Sequence, residues 1–301
     1  MLIKLNYIMK ICLLGNNLTN LVLANILLTK KIRVDIICQS SKSPQKNTIR
    51  TIAISNENYK FLKKNIKGIN KLGWPAKKIK IYSDKSNTSE LFEFTNKNAN
   101  NFYLVKYINL YNLVKKNKLL KFIRFKSYNL NTIKKRNYNL IVNSDQNNLI
   151  TKKYFQKQII KNYRSVAHTA IIEHEEFDNK IATQIFTKSG PLAFLPLSNK
   201  QTSIVFSNYT TKLINKNKLL QIIEKFDHKY EINKISNVES FSIKFQTLRN
   251  YIFENILCFG DLIHKVHPLA GQGFNMTIRD IKSLTYILDE NIKLGIDDGA
   301  I

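Results

Sequence analysis

The chain has 301 residues, 44% of them hydrophobic, enough to bury a sizeable core in one large or two moderate domains. Lys and Arg outnumber Asp and Glu by 48 to 21 for a net charge of +27, but the lysines are spread from end to end without a basic patch or stripe. That spread argues against nucleic acid as a partner, and no apolar run reaches the roughly 18 residues of a transmembrane helix.

Lys10 to Leu14 (KICLL) predicts a strand, with the strand pattern starting directly after Met9. GNNLTN then turns into a helix from about Leu18 to Thr29, and Lys31 to Cys38 (KIRVDIIC) predicts a second strand. The early Lys10 and Gly15-Asn16-Asn17 interrupt the first apolar run, which is not the pattern of a signal peptide. A strand-helix-strand start is that of a dinucleotide-binding domain, whose first turn carries Gly-x-Gly-x-x-Gly. Only Gly15 of that pattern is present; Asn17 and Asn20 hold the other two places, and Cys38 stands where an acidic residue takes the ribose.

Arg50-Thr51-Ile52-Ala53-Ile54-Ser55 leads into a helix through Leu62, and Trp74-Pro75 ends that region. Lys78 to Asp84 and Leu91 to Phe94 alternate as short strands, and a helix is expected around Tyr107 to Lys116. Asn137 to Val142 (NYNLIV) is a further strand, running into Asn143-Ser144-Asp145-Gln146. Tyr163 to Asn250 reads as mostly β, with runs at Val166 to Glu173, Ile181 to Phe186, Ala193 to Leu197 and Gln201 to Phe206. A helix is expected there over about Leu213 to Tyr230.

The most informative stretch comes last: Ile256 to Phe259 is a buried-strand pattern followed by GDLIHKVHPLAGQGFNMTIRD, Gly260 to Asp280. Asp261 falls in the turn after the strand, where open α/β sheets bind ligands. Apolar residues from Asn275 to Leu288 have helical spacing, so Gly271 and Gly273 sit at a helix N-terminus, which favours an electron-rich or anionic ligand. His264 and His267 are three apart but lack a third ligand, so no metal is expected. Cys12, Cys38 and Cys258 lie in strand-like runs, which suits structural thiols in a reducing cytoplasm.

Gly260 to Asp280 closely resembles the second flavin motif of the FAD-dependent aromatic hydroxylases of the para-hydroxybenzoate hydroxylase type, and within them the ubiquinone-biosynthesis hydroxylase family. Thr187 to Leu197 (TKSGPLAFLPL) resembles the substrate-domain signature of the same family. The resemblance implies an α/β fold: a Rossmann-like FAD-binding domain over 1–74, 98–162 and 251–301, with an inserted mainly β substrate domain over 75–97 and 163–250. It also implies that the family's further C-terminal helices are missing.

For the cofactor, the resemblance implies contacts from Gly15, Asn17, Arg50, Asp145, Gly260, Asp261, Pro268, Gly271, Gln272, Gly273 and Asn275. For the substrate pocket it implies Gly190, Pro191, Phe194, Pro196 and His267. The activity implied is hydroxylation of a polyprenyl-phenol ubiquinone precursor with NAD(P)H and O2, through a flavin C4a-hydroperoxide and without a protein nucleophile. Membership of a ubiquinone-biosynthesis complex and peripheral contact with the inner membrane, toward which positive charge is favourable, fit the same reading. The lost glycines leave a second reading open, a non-catalytic accessory subunit of that complex.

Overall fold

KICLL is apolar on both alternating faces, and it becomes the centre of a parallel sheet covered on both sides. In the computed structural model, which describes residues 9–39, 48–84, 90–96, 99–124, 128–226, 229–265 and 272–295, β1 (Lys10–Leu14) lies between β2 (Arg33–Cys38) and β9 (Leu140–Asn143), both parallel to it. β8 (Lys121–Arg124) extends the sheet beyond β2 and β17 (Ile256–Cys258) beyond β9, with β16 (Ile252–Phe253) antiparallel at the edge. The strand order therefore reverses between β1 and β9. A crevice opens outside the carboxyl ends of the strands at such a switch point.

One face of this sheet packs against α1 (Leu18–Thr29), α2 (Asn56–Asn65), α3 (Tyr107–Lys115) and α7 (Gln272–Lys293). The other is covered by the short helices α4 (Leu130–Lys134) and α5 (Leu149–Tyr154), through Ile133 and Ile150 against Cys12, Ile37 and Cys258. A three-stranded antiparallel sheet, β3 (Thr51–Ser55), β7 (Phe102–Lys106) and β4 (Trp74–Ala76), stands beside it.

The third sheet has nine strands. In spatial order it runs β18 (His264–Lys265), β15 (Glu239–Leu248), β10 (Gln158–His174), β13 (Gln201–Asn208), β12 (Gly190–Ser198), β11 (Ile181–Thr187), β5 (Lys78–Ser83) and β6 (Glu90–Thr95), with β14 (Ile232–Ile235) also paired to β10. α6 (Lys216–Phe226) seals one face by burying Leu219 and Ile223 against Leu192, Phe194 and Phe206. The opposite face meets the three-stranded sheet, where Ala182, Leu195 and Leu197 pack with Ala53, Ala76 and Leu104.

This is the expected α/β architecture with a mainly β insertion. β10 is longer than the apolar run predicts: its first half, from Gln158, is exposed and rich in polar residues, and it is held as strand by antiparallel pairing with β15. Among the described residues, no helix is long and apolar enough to cross a membrane.

Candidate cofactor site

At the switch point, four segments far apart in sequence converge on one crevice of about 280 Å³. The β1–α1 turn brings Asn17, the segment before β3 brings Arg50, the β9–α5 loop brings Asp145, and the turn after β17 brings Asp261. Two carboxylates and two cations, Arg50 and Lys265, thus line a single cleft with Tyr107 and Phe274.

Local chemistry fixes each group. Gly260 has φ +60°, and a Cβ there would stand 2.8 Å from Thr19 Cγ2, so only glycine lets the Asp261 turn lie against the first turn of α1. The loop carrying Asp145 is held by side chains. Asn143 Oδ1 accepts from the Asp145 amide at 3.2 Å and from Asn148 Nδ2 at 2.8 Å, Thr151 Oγ1 donates to the Asp145 carbonyl at 2.6 Å, and Asn148 Oδ1 caps α5 by accepting from the Thr151 amide at 2.8 Å. Gln146 then ties this loop to the next, its Nε2 donating to the Asp261 carbonyl at 2.9 Å and its Oε1 accepting from Lys265 Nζ at 2.7 Å. Burial lowers the Lys265 pKa, while the Asp261 charge opposes that shift.

Tyr107 opens α3 at the crevice wall. Burial raises its pKa, and the Arg50 guanidinium lies 5.0 Å from its ring centre. His264 Nε2 pairs with Asp280 Oδ2 at 3.1 Å, joining β18 to α7, and that hydrogen bond raises the His264 pKa.

Of the sequence-derived cofactor residues, Asn17, Arg50, Asp145 and Asp261 line this crevice. Gly15 and Gly260 sit beneath it as the turns that shape it, and Gln272 and Gly273 start α7. Asn275 is corrected: its side chain faces the protein. It accepts from the Ser55 amide at 2.9 Å and Asn58 Nδ2 at 2.9 Å, and donates to the Ala53 carbonyl at 2.8 Å. It clamps β3 to α7.

The expected pocket residues Gly190, Pro191, Phe194 and Pro196 all lie on β12. Alternation along a strand sends Leu192, Phe194 and Pro196 to one face and Ala193, Leu195 and Leu197 to the other. Phe194 is fully buried under α6, stacked on Tyr230 at 5.5 Å, so it belongs to the core and not to a pocket wall; the side of β12 that meets the cofactor domain is the Leu195 side. Gly190 serves the hairpin: with φ +134°, a Cβ there would stand 1.8 Å from the Ser207 carbonyl oxygen. Pro268, Gly271 and His267 lie outside the described residues. Sequence reading missed Tyr107 and Lys265; Tyr107 carried one signal, its place as the first residue of a helix that follows a strand.

Fit to FAD divides along the crevice. At the α7 end no described atom lies within 4 Å of a Cβ placed on Gly273. Asp261 and Asp145 bring acceptor oxygens to the crevice, and Arg50 brings a cation. At the α1 end Leu18 and Thr19 also line the crevice, Asp145 Cβ and Asn17 Nδ2 lie 2.9 Å and 3.2 Å from where a Cβ on Gly15 would stand, and Cys38 is buried at the end of β2. The residues fit the flavin half of FAD.

Fold and crevice together define a class, the FAD-dependent monooxygenase fold. Residues 165–295 match the family model described as "FAD binding domain". The chain superposes on a probable FAD-dependent monooxygenase, PqsL of Pseudomonas aeruginosa, with a TM-score of 0.72 at 15% identity, covering 95% of this chain and 87% of that one. It superposes on the tetrameric form of 2-methyl-3-hydroxypyridine-5-carboxylic acid oxygenase with a TM-score of 0.74 at 12% identity, covering 94% and 82%; these two likenesses concern the fold alone.

Among curated proteins the chain is similar to ubiquinone-biosynthesis hydroxylases. It is 28% identical over 145 residues to the ubiquinone hydroxylase UbiL of Rhodospirillum rubrum, covering 46% of this chain and 34% of the relative. It is 25% identical over 209 residues to the mitochondrial ubiquinone biosynthesis monooxygenase COQ6 of Schizosaccharomyces pombe, covering 54% and 44%. The aligned part thus spans less than half the length of these curated relatives.

Proposed function

We propose that the chain is an FAD-dependent monooxygenase that hydroxylates the aromatic ring of a polyprenyl-phenol ubiquinone precursor, with NAD(P)H and O2 as co-substrates. One observation carries this reading: Arg50, Asp145 and Asp261, from three separate segments, meet in one crevice at the sheet's switch point, in a chain whose relatives are named ubiquinone hydroxylase and ubiquinone biosynthesis monooxygenase.

FAD, when bound, supplies the redox and oxygen chemistry. The chain binds, orients and shields. Asp261 and Asp145 accept hydrogen bonds from the ribityl chain, and Arg50, steadied over the Tyr107 ring, presents positive charge to the cofactor. The Gln146 bridge holds the Asp145 and Asp261 loops at fixed separation. The apolar seam of Leu195 and Leu197 on Ala53 and Leu104 keeps water from entering between the sheets. Pro191, in phase with Leu195 on β12, and His267 are the substrate-side residues of this reading, whereas Pro196 shares the buried face of Phe194. A biosynthetic complex and contact with an anionic inner-membrane surface belong to the same proposal, supported by the net charge of +27.

The test is incubation of the purified protein with FAD, NAD(P)H and a polyprenyl phenol, followed by mass analysis of the quinone precursor. Gain of one oxygen atom, dependent on all three additions, supports the reading; NAD(P)H oxidation that never transfers oxygen to any phenol counts against it. The crowding at Gly15 favours a second reading, a non-catalytic accessory subunit. That reading expects a folded protein that leaves added FAD unreduced in the presence of NAD(P)H.

A further inference from the structure

Where a strand runs into a helix at the switch point, free helix amides and the positive helix end ordinarily meet a diphosphate. Here one of those amides is already engaged: the Asn20 amide donates to Asn17 Oδ1 at 3.1 Å.

The other end of the Asn17 side chain crosses to the β9–α5 loop. Its Nδ2 donates to Ser144 Oγ at 2.8 Å and to the Ser144 carbonyl at 3.3 Å. Beneath it, Asn20 Nδ2 donates to the Leu14 and Gly15 carbonyls, both at 2.8 Å, which fixes the turn in place. Gly15 keeps its left-handed conformation, φ +107°, but the space it leaves is taken by Asn17 and Asp145. At the far end Cys38 is buried and offers no carboxylate to a ribose. Among the described residues, no atom crowds the corresponding place at Gly273.

We propose that the Asn17–Ser144 bridge is a plug over the diphosphate end of the crevice, so that this chain holds FAD by its flavin and ribityl half and discriminates weakly between FAD and flavins that lack the adenylate. This rests on the FAD reading above. Admitting the diphosphate requires the Asn17 side chain to give up its bonds to Ser144. A glycine at 17 removes that requirement and frees the Asn20 amide as an additional donor.

Equilibrium dialysis of the full chain against FAD and, separately, riboflavin tests the plug, using wild type, Asn17→Gly and Ser144→Ala. Glycine is tolerated at a helix N-cap, and Ser144→Ala leaves the Asn17 cap in place; thermal melts establish that each protein is folded. Wild type is expected to bind the two flavins within about ten-fold of each other. Asn17→Gly is expected to tighten FAD by about ten-fold, with riboflavin moving less than about two-fold, and Ser144→Ala to shift in the same direction. Weaker FAD binding in the variants, or an equal shift for both flavins, overturns the plug while leaving the FAD reading standing. Wild-type preference for FAD by about a thousand-fold does the same. Uptake of neither flavin by any of the three folded proteins overturns the FAD reading, and the plug with it.

Discussion

The side-chain oxygen of Asn275, in the first turn of the last helix, accepts the backbone amide of Ser55 at 2.9 Å, at the end of the strand that Arg50 leads into. Its amide group also donates to the Ala53 carbonyl at 2.8 Å, so one residue that is 7% exposed holds two distant segments at the crevice in register. Asn275→Ala strands the Ser55 amide and the Ala53 carbonyl without their partner, while Asn58 keeps its bonds to the residue 275 carbonyl and to Lys282. Each lost partner of a buried polar group costs about 1–3 kcal/mol. We expect a clear fall in the denaturant midpoint together with weaker flavin binding, because Arg50 loses its anchor.

Gly260 and Thr19 form a second such pairing. Gly260→Ala combines a left-handed φ of +60° with a 2.8 Å contact to Thr19 Cγ2, and we expect a loss of about 1–3 kcal/mol in urea unfolding. Thr19→Ala removes the contact but not the backbone strain. A double-mutant cycle should therefore recover part of the loss; a fully additive cycle would show that the contact plays no part.

The His264–Asp280 pair makes stability depend on pH. The hydrogen bond from Asp280 raises the folded-state pKa of His264 above its unfolded value of about 6.5. Its stabilisation is then fully present below that unfolded value and is lost as pH rises through the folded pKa. Melting temperatures of wild type minus those of Asp280→Asn, followed from acid to mildly alkaline pH, should shrink toward the alkaline end. A difference that grows with pH would contradict the assignment.

Phe194 tests which side of β12 is core. Phe194→Ala opens a cavity beneath α6 and is expected to cost about 3–5 kcal/mol. The flavin affinity of the protein that remains folded should be unchanged, because Phe194 stacks on Tyr230 and not on the crevice. Titration of flavin into that variant at low temperature separates the two effects.

The contrast between Asp261 and Phe194 shows how far the sequence reaches. Asp261 was legible because its place is set by local order, a strand followed by a turn, and the turn's position at the strand's carboxyl end follows from the fold. Phe194 was not, because alternation along a strand separates two faces without saying which one a helix from later in the chain will cover. The resemblance implies Asn275 as a cofactor contact, and only the tertiary approach of Ser55 reveals the partner its side chain takes. Tyr107 and Lys265 reach the crevice through packing of segments that carry no common pattern. The first half of β10 escaped notice because its strand character comes from the partner β15 and not from its own apolar spacing.

The central claim, that the crevice holds a flavin through Asp261, is tested most directly by visible absorption of the purified protein after incubation with FAD and removal of the free cofactor. The account predicts a bound-flavin spectrum for wild type, with uptake reduced by about ten-fold or more in Asp261→Ala at limiting FAD. A folded wild type that emerges colourless, or an Asp261→Ala variant that retains flavin as well as wild type, would contradict it.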